Sequence, residues 1–362
     1  MTNNLHLVGI GSFGAMLSPS AGHLKEHGPA QYVRVLDRGT QSAEHHVRRQ
    51  AWEKHGAKLV PTIEALVKPA NFDGVVICAG KNGSDHAIIT EVVRYLKDCG
   101  SEKFILHLST VSADFAEKAA AFCAAHGLKY ADYPLTGGSA GATAGTMLIL
   151  ASGQRSLFDY LEPMLSTIGK PRFCGEGVAD GAKVKLIGHY MVFNGLSAIA
   201  SAVALQAACF ENGSIGEHQL DFFKFLNGGA GGTKQFDVAL MKGLTGDWST
   251  GFKMDHAAPD CLYAAQLGFK SGLPAYSLVP LLNTAVTFGH VMKCLPHERY
   301  ATQALVNYLV GDPAKGLNAY FTHVSHLETI INDFPKALDR AAQSLPRVVR
   351  DTVMLDVPDF KL

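Results

Sequence analysis

The sequence predicts a two-domain chain, an α/β half with a doubly wound, mostly parallel sheet followed by an all-helical half, the two joined by a long helix. Three observations carry this. Short apolar runs alternate with helix-compatible stretches from the first residues onward, the pattern of a parallel sheet covered by helices. After Gly175-Glu-Gly177 the β-branched alternation stops, and Ala- and Leu-rich runs take over. At 362 residues, 47% hydrophobic and 18% charged, the chain exceeds one core of usual size. The expected domains are residues 1–178 and 179–362.

The first element is the apolar run Leu5 to Val8, followed by Gly9-Ile10-Gly11-Ser12-Phe13-Gly14 and a helix-compatible stretch to His27. This reads as strand, tight turn, helix. Gln31 to Leu36 is the second strand, and it ends on Asp37, 23 residues past Gly14. That is close to the spacing of the acid that holds an adenosine ribose. A Gly-x-Gly-x-x-Gly alone is a weak signal. Between a first strand and an acid-terminated second strand it marks a dinucleotide-binding Rossmann unit, with residues 9–14, Asp37 and Arg38 at the cofactor.

Further strands are expected at Gly74 to Ala79, Phe104 to Leu108, Lys129 to Tyr133 and Met147 to Ala151, with helices at Asp85 to Lys97, Ala113 to His126 and Phe158 to Ile168. The loops Ala79-Gly80-Lys-Asn-Gly83 and Ser109-Thr110-Val-Ser112 follow strands. In such sheets ligands sit beyond the strands' carboxyl ends, so Ala79, Gly80 and Thr110 are assigned to the cofactor. In the second half, helices are expected at Asp180 to Glu211, Glu217 to Leu226, Cys261 to Ser271, Ser277 to Lys293 and Glu298 to Val310. Two more fall between Tyr320 and Val353, broken by Pro335 and Pro346.

From Leu186 to Phe210 no residue is charged, a run long enough to span a bilayer. It carries His189, Asn194 and Gln206 and lacks flanking anchors, so it reads as a helix buried between domains or subunits.

The run from Asp132 to Met147 is rich in glycine and small residues and makes poor core material. The bland reading is a surface loop. The functional one is an anion cradle, in which adjacent amides at Gly137 and Gly138, beside the Thr136 hydroxyl, hold a carboxylate.

Lys plus Arg and Asp plus Glu both number 32, so no net field attracts nucleic acid or an anionic membrane. The seven cysteines, Cys78, Cys99, Cys123, Cys174, Cys209, Cys261 and Cys294, are widely spaced without a Cys-x-x-Cys pair. They read as free thiols in a reducing cytoplasm. No export signal is read at the start. The 16 histidines show no metal-site spacing, and His45-His46, His323 and His326 read as exposed polar positions.

Four segments in order resemble the β-hydroxyacid dehydrogenase family, which includes 3-hydroxyisobutyrate dehydrogenase, tartronate semialdehyde reductase and, more distantly, 6-phosphogluconate dehydrogenase. Gly9-Ile-Gly-Ser-Phe-Gly-Ala-Met16 resembles its cofactor loop and Leu108-Ser-Thr-Val-Ser112 its cofactor-side segment. Thr136-Gly-Gly-Ser-Ala-Gly-Ala-Thr-Ala-Gly-Thr146 resembles its substrate loop, and Gly181-Ala-Lys-Val-Lys185-Leu-Ile-Gly-His189 its catalytic helix start. The resemblance runs from about Leu5 to Lys293, and residues 297–362 extend beyond the usual family length. It places the catalytic lysine at Lys185 and leaves Lys183 on the surface. The family's paired asparagines stand here as Gly188 and His189. Its later Lys-Asp pair stands as Pro259-Asp260, which assigns Asp260 to the cofactor and removes one positive charge.

The chemistry this implies is hydride transfer between a nicotinamide cofactor and a small β-hydroxy acid or its semialdehyde. Thr136, Gly137 and Gly138 hold the substrate carboxylate, Lys185 acts as general base or acid, and His189 orients the reacting oxygen. Without the glycine loops Lys185 would read as a lysine capping its helix from solvent. Asp37 repels a 2′-phosphate and favours NAD, while the neighbouring Arg38 leaves NADP open. No metal is expected. The family also implies a homodimer or dimer-based tetramer. The alternatives are an imine reductase, a decarboxylating dehydrogenase of the 6-phosphogluconate type, or a non-catalytic NAD-binding regulator. Retention of Lys185 favours the hydroxy acid.

Overall fold

Buried apolar strands must be covered on both faces, and the first sheet has six strands. They are β1 (Leu5–Ile10), β2 (Ala30–Leu36), β3 (Lys58–Val60), β4 (Gly74–Ile77), β5 (Phe104–His107) and β6 (Lys129–Asp132). In the computed structural model, which describes residues 4–39, 42–98, 102–210, 217–236, 242, 252–296, 300–305 and 332–362, their order is β3-β2-β1-β4-β5-β6. All five pairings are parallel. Leu7, Val8, Val75, Ile77, Ile105 and Leu106 are wholly buried. The strand order reverses between β1 and β4, which puts a crevice at their carboxyl ends.

The covering helices are α1 (Ser20–His27), α2 (Ala43–Lys54), α3 (Ile63–Val67), α4 (Asn82–Leu96) and α5 (Ala113–Ala125). The sequence reading did not anticipate α2, β3 and α3. α2 is crowded with His, Arg and Glu and shows no wide apolar stripe, yet its start was marked. The Ser42 hydroxyl accepts from the His45 amide at 3.1 Å, and Thr62 does the same for Ala65 ahead of α3.

The strand expected at Met147 to Ala151 lies outside this sheet. It is β8 (Met147–Ser152) of a separate sheet, paired antiparallel with β7 (Leu135–Thr136) and parallel with the unanticipated β9 (Gly169–Gly175). The glycine-rich run between β7 and β8 folds into a short helix, α6 (Gly138–Ala144), with Gly137 at its N-cap. α7 (Arg155–Ile168) precedes β9 and buries Leu157, Leu161, Leu165 and Ile168.

The chain divides into two compact units, Met1–Lys185 with Asp356–Leu362, and Leu186–Leu355. The sequence boundary was placed at residue 178, with the whole C-terminus in the second domain. α8 (Asp180–Phe210) starts in the first unit and continues into the second, where α9 (Glu217–Asn227), α10 (Met254–Lys270), α11 (Ala275–Cys294), α12 (Phe334–Gln343) and α13 (Arg347–Val353) follow. Phe193, Leu196, Leu262, Leu281 and Phe288 form that unit's core, and the buried Tyr263 hydroxyl donates to the Val353 carbonyl at 2.7 Å. Pro335, expected to break a helix, instead starts α12 in its first turn, where a missing N–H costs nothing. The expected helix at Glu298 to Val310 and the stretch from Tyr320 to residue 331 fall mostly or wholly outside the described residues.

α8 is the one helix among the described residues long and apolar enough to span a membrane, over Asp180–Gln206 with a mean hydropathy of 1.4. Its faces differ. Leu186, Phe193, Leu196, Ala200 and Val203 are buried, whereas Val184, Ile187, Met191, Ala198, Ala202 and Leu205 form an exposed stripe at helical spacing. The cysteines described, Cys78, Cys123, Cys174, Cys209, Cys261 and Cys294, are free thiols.

The last seven residues return to the first unit. Phe360 stacks on His86 at 4.0 Å and on Phe122 at 5.2 Å, and meets Phe115 edge-on at 5.5 Å. Lys118 donates to the Val357 carbonyl and pairs with Asp359, both at 2.8 Å. Burial pulls the His86 imidazole below its ordinary value, which keeps it neutral against the aromatic ring. Phe360→Ala is expected to destabilise the protein by about 3 kcal/mol. The half-exposed Leu362, replaced by Ala, should change stability by less than about 0.5 kcal/mol. Calorimetric unfolding of the two variants checks this.

Candidate active site

The first strand runs into a turn that only glycine can make. Gly11 has φ 75°, and a Cβ there would collide with the Cys78 carbonyl just past β4. The turn therefore lies directly against the neighbouring strand end. α1 does not begin behind the turn, as the sequence suggested. It starts at Ser20, because Pro19 occupies its N-cap and cannot donate. Within the turn the Gly14 amide donates to the Gly11 carbonyl at 2.9 Å. α2 steadies the turn from outside: Trp52 Nε1 donates to the Ser12 carbonyl at 2.9 Å, and Arg48 donates to the Phe13 carbonyl.

Asp37 follows β2 and is buried. Its Oδ1 accepts from the Gly39 amide at 2.8 Å and lies 2.9 Å from His45 Nε2, while Arg49 Nη1 stands 3.4 Å from Oδ2. The His45 ring stacks on Phe13 at 4.5 Å. The expectation that His45 is an exposed polar residue is therefore corrected. Its neighbour His46 is exposed, but His45 links Asp37 to the glycine turn. The signal was the position of His45 in the first turn of a Ser-capped helix. Arg38 is exposed.

Beyond β4 and β5, the Ala79 amide donates to Ser109 Oγ at 3.1 Å. Asn82 and Ser112 bond reciprocally, at 2.9 Å and 3.0 Å. The loops carrying Ala79, Gly80 and Thr110 are thus tied together next to the turn.

Asp132 ends β6 and is wholly buried. Its Oδ2 accepts from the Ala182 amide in the first turn of α8 at 2.9 Å. Gly181 is packed so closely that a Cβ would meet the Leu150 carbonyl and, at 2.7 Å, that of Asp132. Ser152 Oγ donates within 3.0 Å of the Val178 carbonyl just ahead of the helix. The start of α8 is therefore fixed to β6 and β8. Four residues past Asp132, Thr136 is half-buried, and Gly137 and Gly138 are exposed.

Lys185 is buried at 6% exposure. Burial pushes the Cys78 thiol up to about 12, with Asp85 adding to the rise and Lys81 and Lys185 opposing it. The Lys185 charge therefore acts at the end of β4, on the same side as the glycine turn. Lys183 is surface-exposed and lies 3.6 Å from both Glu117 and Asp180. In the second unit, His189 Nδ1 is 3.3 Å from Asp260 Oδ2. Asp260 is wholly buried on α10, and the imidazole packs 5.1 Å from Phe193 and 5.7 Å from Phe252. The sequence assigned Asp260 to the cofactor, and one side chain beside it is His189.

One buried group was not foreseen. His107, at the end of β5, lies 2.8 Å from Asp85 Oδ2 and 2.7 Å from the Tyr130 hydroxyl.

A family profile described as the NAD binding domain of 6-phosphogluconate dehydrogenase matches residues 4–186. An uncharacterized oxidoreductase of Synechocystis sp. is 29% identical over 306 residues, covering 84% of this chain and 98% of that protein. The 3-sulfolactaldehyde reductase of Escherichia coli is 28% identical, covering 70% of this chain and 79% of its own. A crystal structure of 3-hydroxyisobutyrate dehydrogenase from Salmonella typhimurium superposes with a TM-score of 0.68 at 19% identity, over 84% of this chain and all of that one.

The glycine turn and the buried acid fit a nicotinamide dinucleotide. Asp37→Ala should weaken NAD binding by about ten- to a hundredfold, the worth of hydrogen bonds to a charged group, and relax discrimination against NADP. Titration of both nucleotides against wild type and variant measures this, and a wild type that prefers NADP would contradict the role given to Asp37.

Proposed function

The chain belongs to the β-hydroxyacid dehydrogenase family and is a nicotinamide-dependent oxidoreductase acting on CH–OH groups; on that premise we propose that it interconverts a small β-hydroxy acid and its semialdehyde or keto acid, with Lys185 as general base and acid. One observation carries the assignment. Lys185 is buried one turn into a helix whose start is bonded to β6, and its charge acts at the strand end beside the glycine turn.

A nicotinamide dinucleotide held by these residues would supply the hydride acceptor and donor. Everything else falls to this chain. The Gly11 cradle and the loops at Ala79, Gly80 and Thr110 hold and flank it. Asp37, kept in place by Gly39 and His45, accepts from ribose hydroxyls and disfavours a 2′-phosphate, so NAD is the proposed cofactor. The Thr136 hydroxyl and the amides of Gly137 and Gly138 bind the substrate carboxylate. Lys185 Nζ takes the hydroxyl proton during oxidation and gives it back during reduction. His189, paired through Nδ1 with Asp260, orients the reacting oxygen. Asp260 thus works through the imidazole.

We further propose that the protein works in the cytoplasm as a homodimer or a dimer-based tetramer. The exposed stripe of Val184, Ile187, Met191 and Leu205 is the kind of surface that a second copy covers.

Lys185→Ala should leave NAD affinity within a few-fold and lower turnover by about 10² to 10⁴, while Lys183→Ala changes neither. Assays of 3-hydroxyisobutyrate oxidation and tartronate semialdehyde reduction with both cofactors measure this. An active Lys185→Ala beside an inactive Lys183→Ala would move the role to the other lysine. Light scattering at micromolar concentration should show a dimer or tetramer that Met191→Glu weakens, and a wild-type monomer would refute the assembly.

A further inference from the structure

Asp132 takes no part in the chemistry described above, yet it joins the two segments that chemistry needs. Four residues after it comes Thr136. Its carboxylate holds the Ala182 amide at 2.9 Å, three residues before Lys185. The Leu150 and Asp132 carbonyls crowd Gly181, so the helix start has no room to move closer to the sheet. We infer that Asp132 is a positioning residue whose ionised carboxylate, bonded to the first turn of α8, sets Lys185 against the substrate loop and whose protonation loosens that hold. This rests on Lys185 being the proton-transferring group.

An ionised acceptor makes a stronger bond to an N–H than a neutral one, and a negative charge at a helix start gains further from the uncovered amides. The ionised form is expensive here, because Asp132 is wholly buried and its Oδ1 has no hydrogen-bond partner among the described residues. His107, its register partner on β5, favours the charge, and behind it stands Asp85. Tyr130 and Tyr133 on the same segment and Cys174 on β9 all feel the carboxylate as a like charge. α8 presents the Ala182 amide. Burial wins, and the carboxyl is pushed up to about 7. The folded protein therefore holds this proton up to near neutral pH, whereas an unfolded chain releases it near pH 4. The contribution to stability is complete below pH 4 and is lost as pH rises through about 7. The anchor gains strength over that same upper range.

Asp132→Asn keeps an acceptor for Ala182 and removes the titration, whereas Asp132→Ala removes both. Hydrogen exchange of the peptide containing Ala182 reads the anchor directly. Wild-type protection, corrected for intrinsic exchange, should fall several-fold between pH 8.5 and pH 5.5. It should be flat in Asp132→Asn and about tenfold lower throughout in Asp132→Ala. In the reductive direction, with tartronate semialdehyde and NADH, Lys185 must carry a proton and Asp132 must not. Wild type should then show an acid limb near pH 7 and a separate alkaline limb. Asp132→Asn should lose only the acid limb, and Lys185→Ala only the alkaline one. An acid limb that survives in Asp132→Asn, or wild-type protection that does not vary with pH, overturns the inference. A Lys185→Ala that keeps the alkaline limb refutes the lysine assignment instead. Should Asp132→Ala fail to fold, the exchange comparison of wild type with Asp132→Asn still decides.

Discussion

A parallel sheet covered on both faces leaves little room for polar side chains along its central strands, and that constraint shapes the first unit. Polar groups are driven to the carboxyl ends. Gly11 follows β1, Asp37 follows β2, Ala79 follows β4, and His107 and Asp132 are the last residues of β5 and β6. The candidate site residues are thus gathered by burial of their neighbours rather than by attraction for each other. The loops are then stiffened locally by pairs such as Asn82 with Ser112 and Trp52 with Ser12. A site assembled in this way is largely preformed, and its chemistry is set by which residue ends each strand.

How much of this was legible follows from the range of the forces involved. The glycine turn, the acid at Asp37 and the strand-helix alternation are local, since each depends on residues adjacent in the chain. The resemblance selected Lys185 over Lys183, and the structure shows the buried and exposed environments that distinguish them. α2 was missed because its stability comes from what it touches, Phe13, Ser12 and Asp37, and not from a periodic apolar stripe. The role of His45 was hidden for the same reason. β8 was recognised as a strand, but its sheet depends on pairing with β9, which the sequence reading did not foresee. Cap residues at Ser42 and Thr62 were the local clues left unused.

The departures of this chain from its family are consistent in physical terms. A histidine at position 189 faces a wholly buried carboxylate at Asp260, and a charge in that place is tolerable only with a partner. The two side chains approach to 3.3 Å, so a change at position 189 is felt at Asp260. Phe193 and Phe252 pack against the ring. The imidazole is consequently a fixed element of the second unit, one that brings a titratable group where the family carries an amide.

The return of the last seven residues to the first unit also orders events at the ribosome. The surface formed by His86, Phe115 and Phe122 is made early, yet its cover, Phe360, emerges only after the whole of Leu186–Leu355 has been translated. At about 5–20 residues per second that interval is on the order of ten to thirty seconds. During it a nucleotide-binding unit with a formed sheet exposes an aromatic patch on its outer helices. Until Phe360 has left the ribosome, that patch is open to chaperones and to other nascent chains.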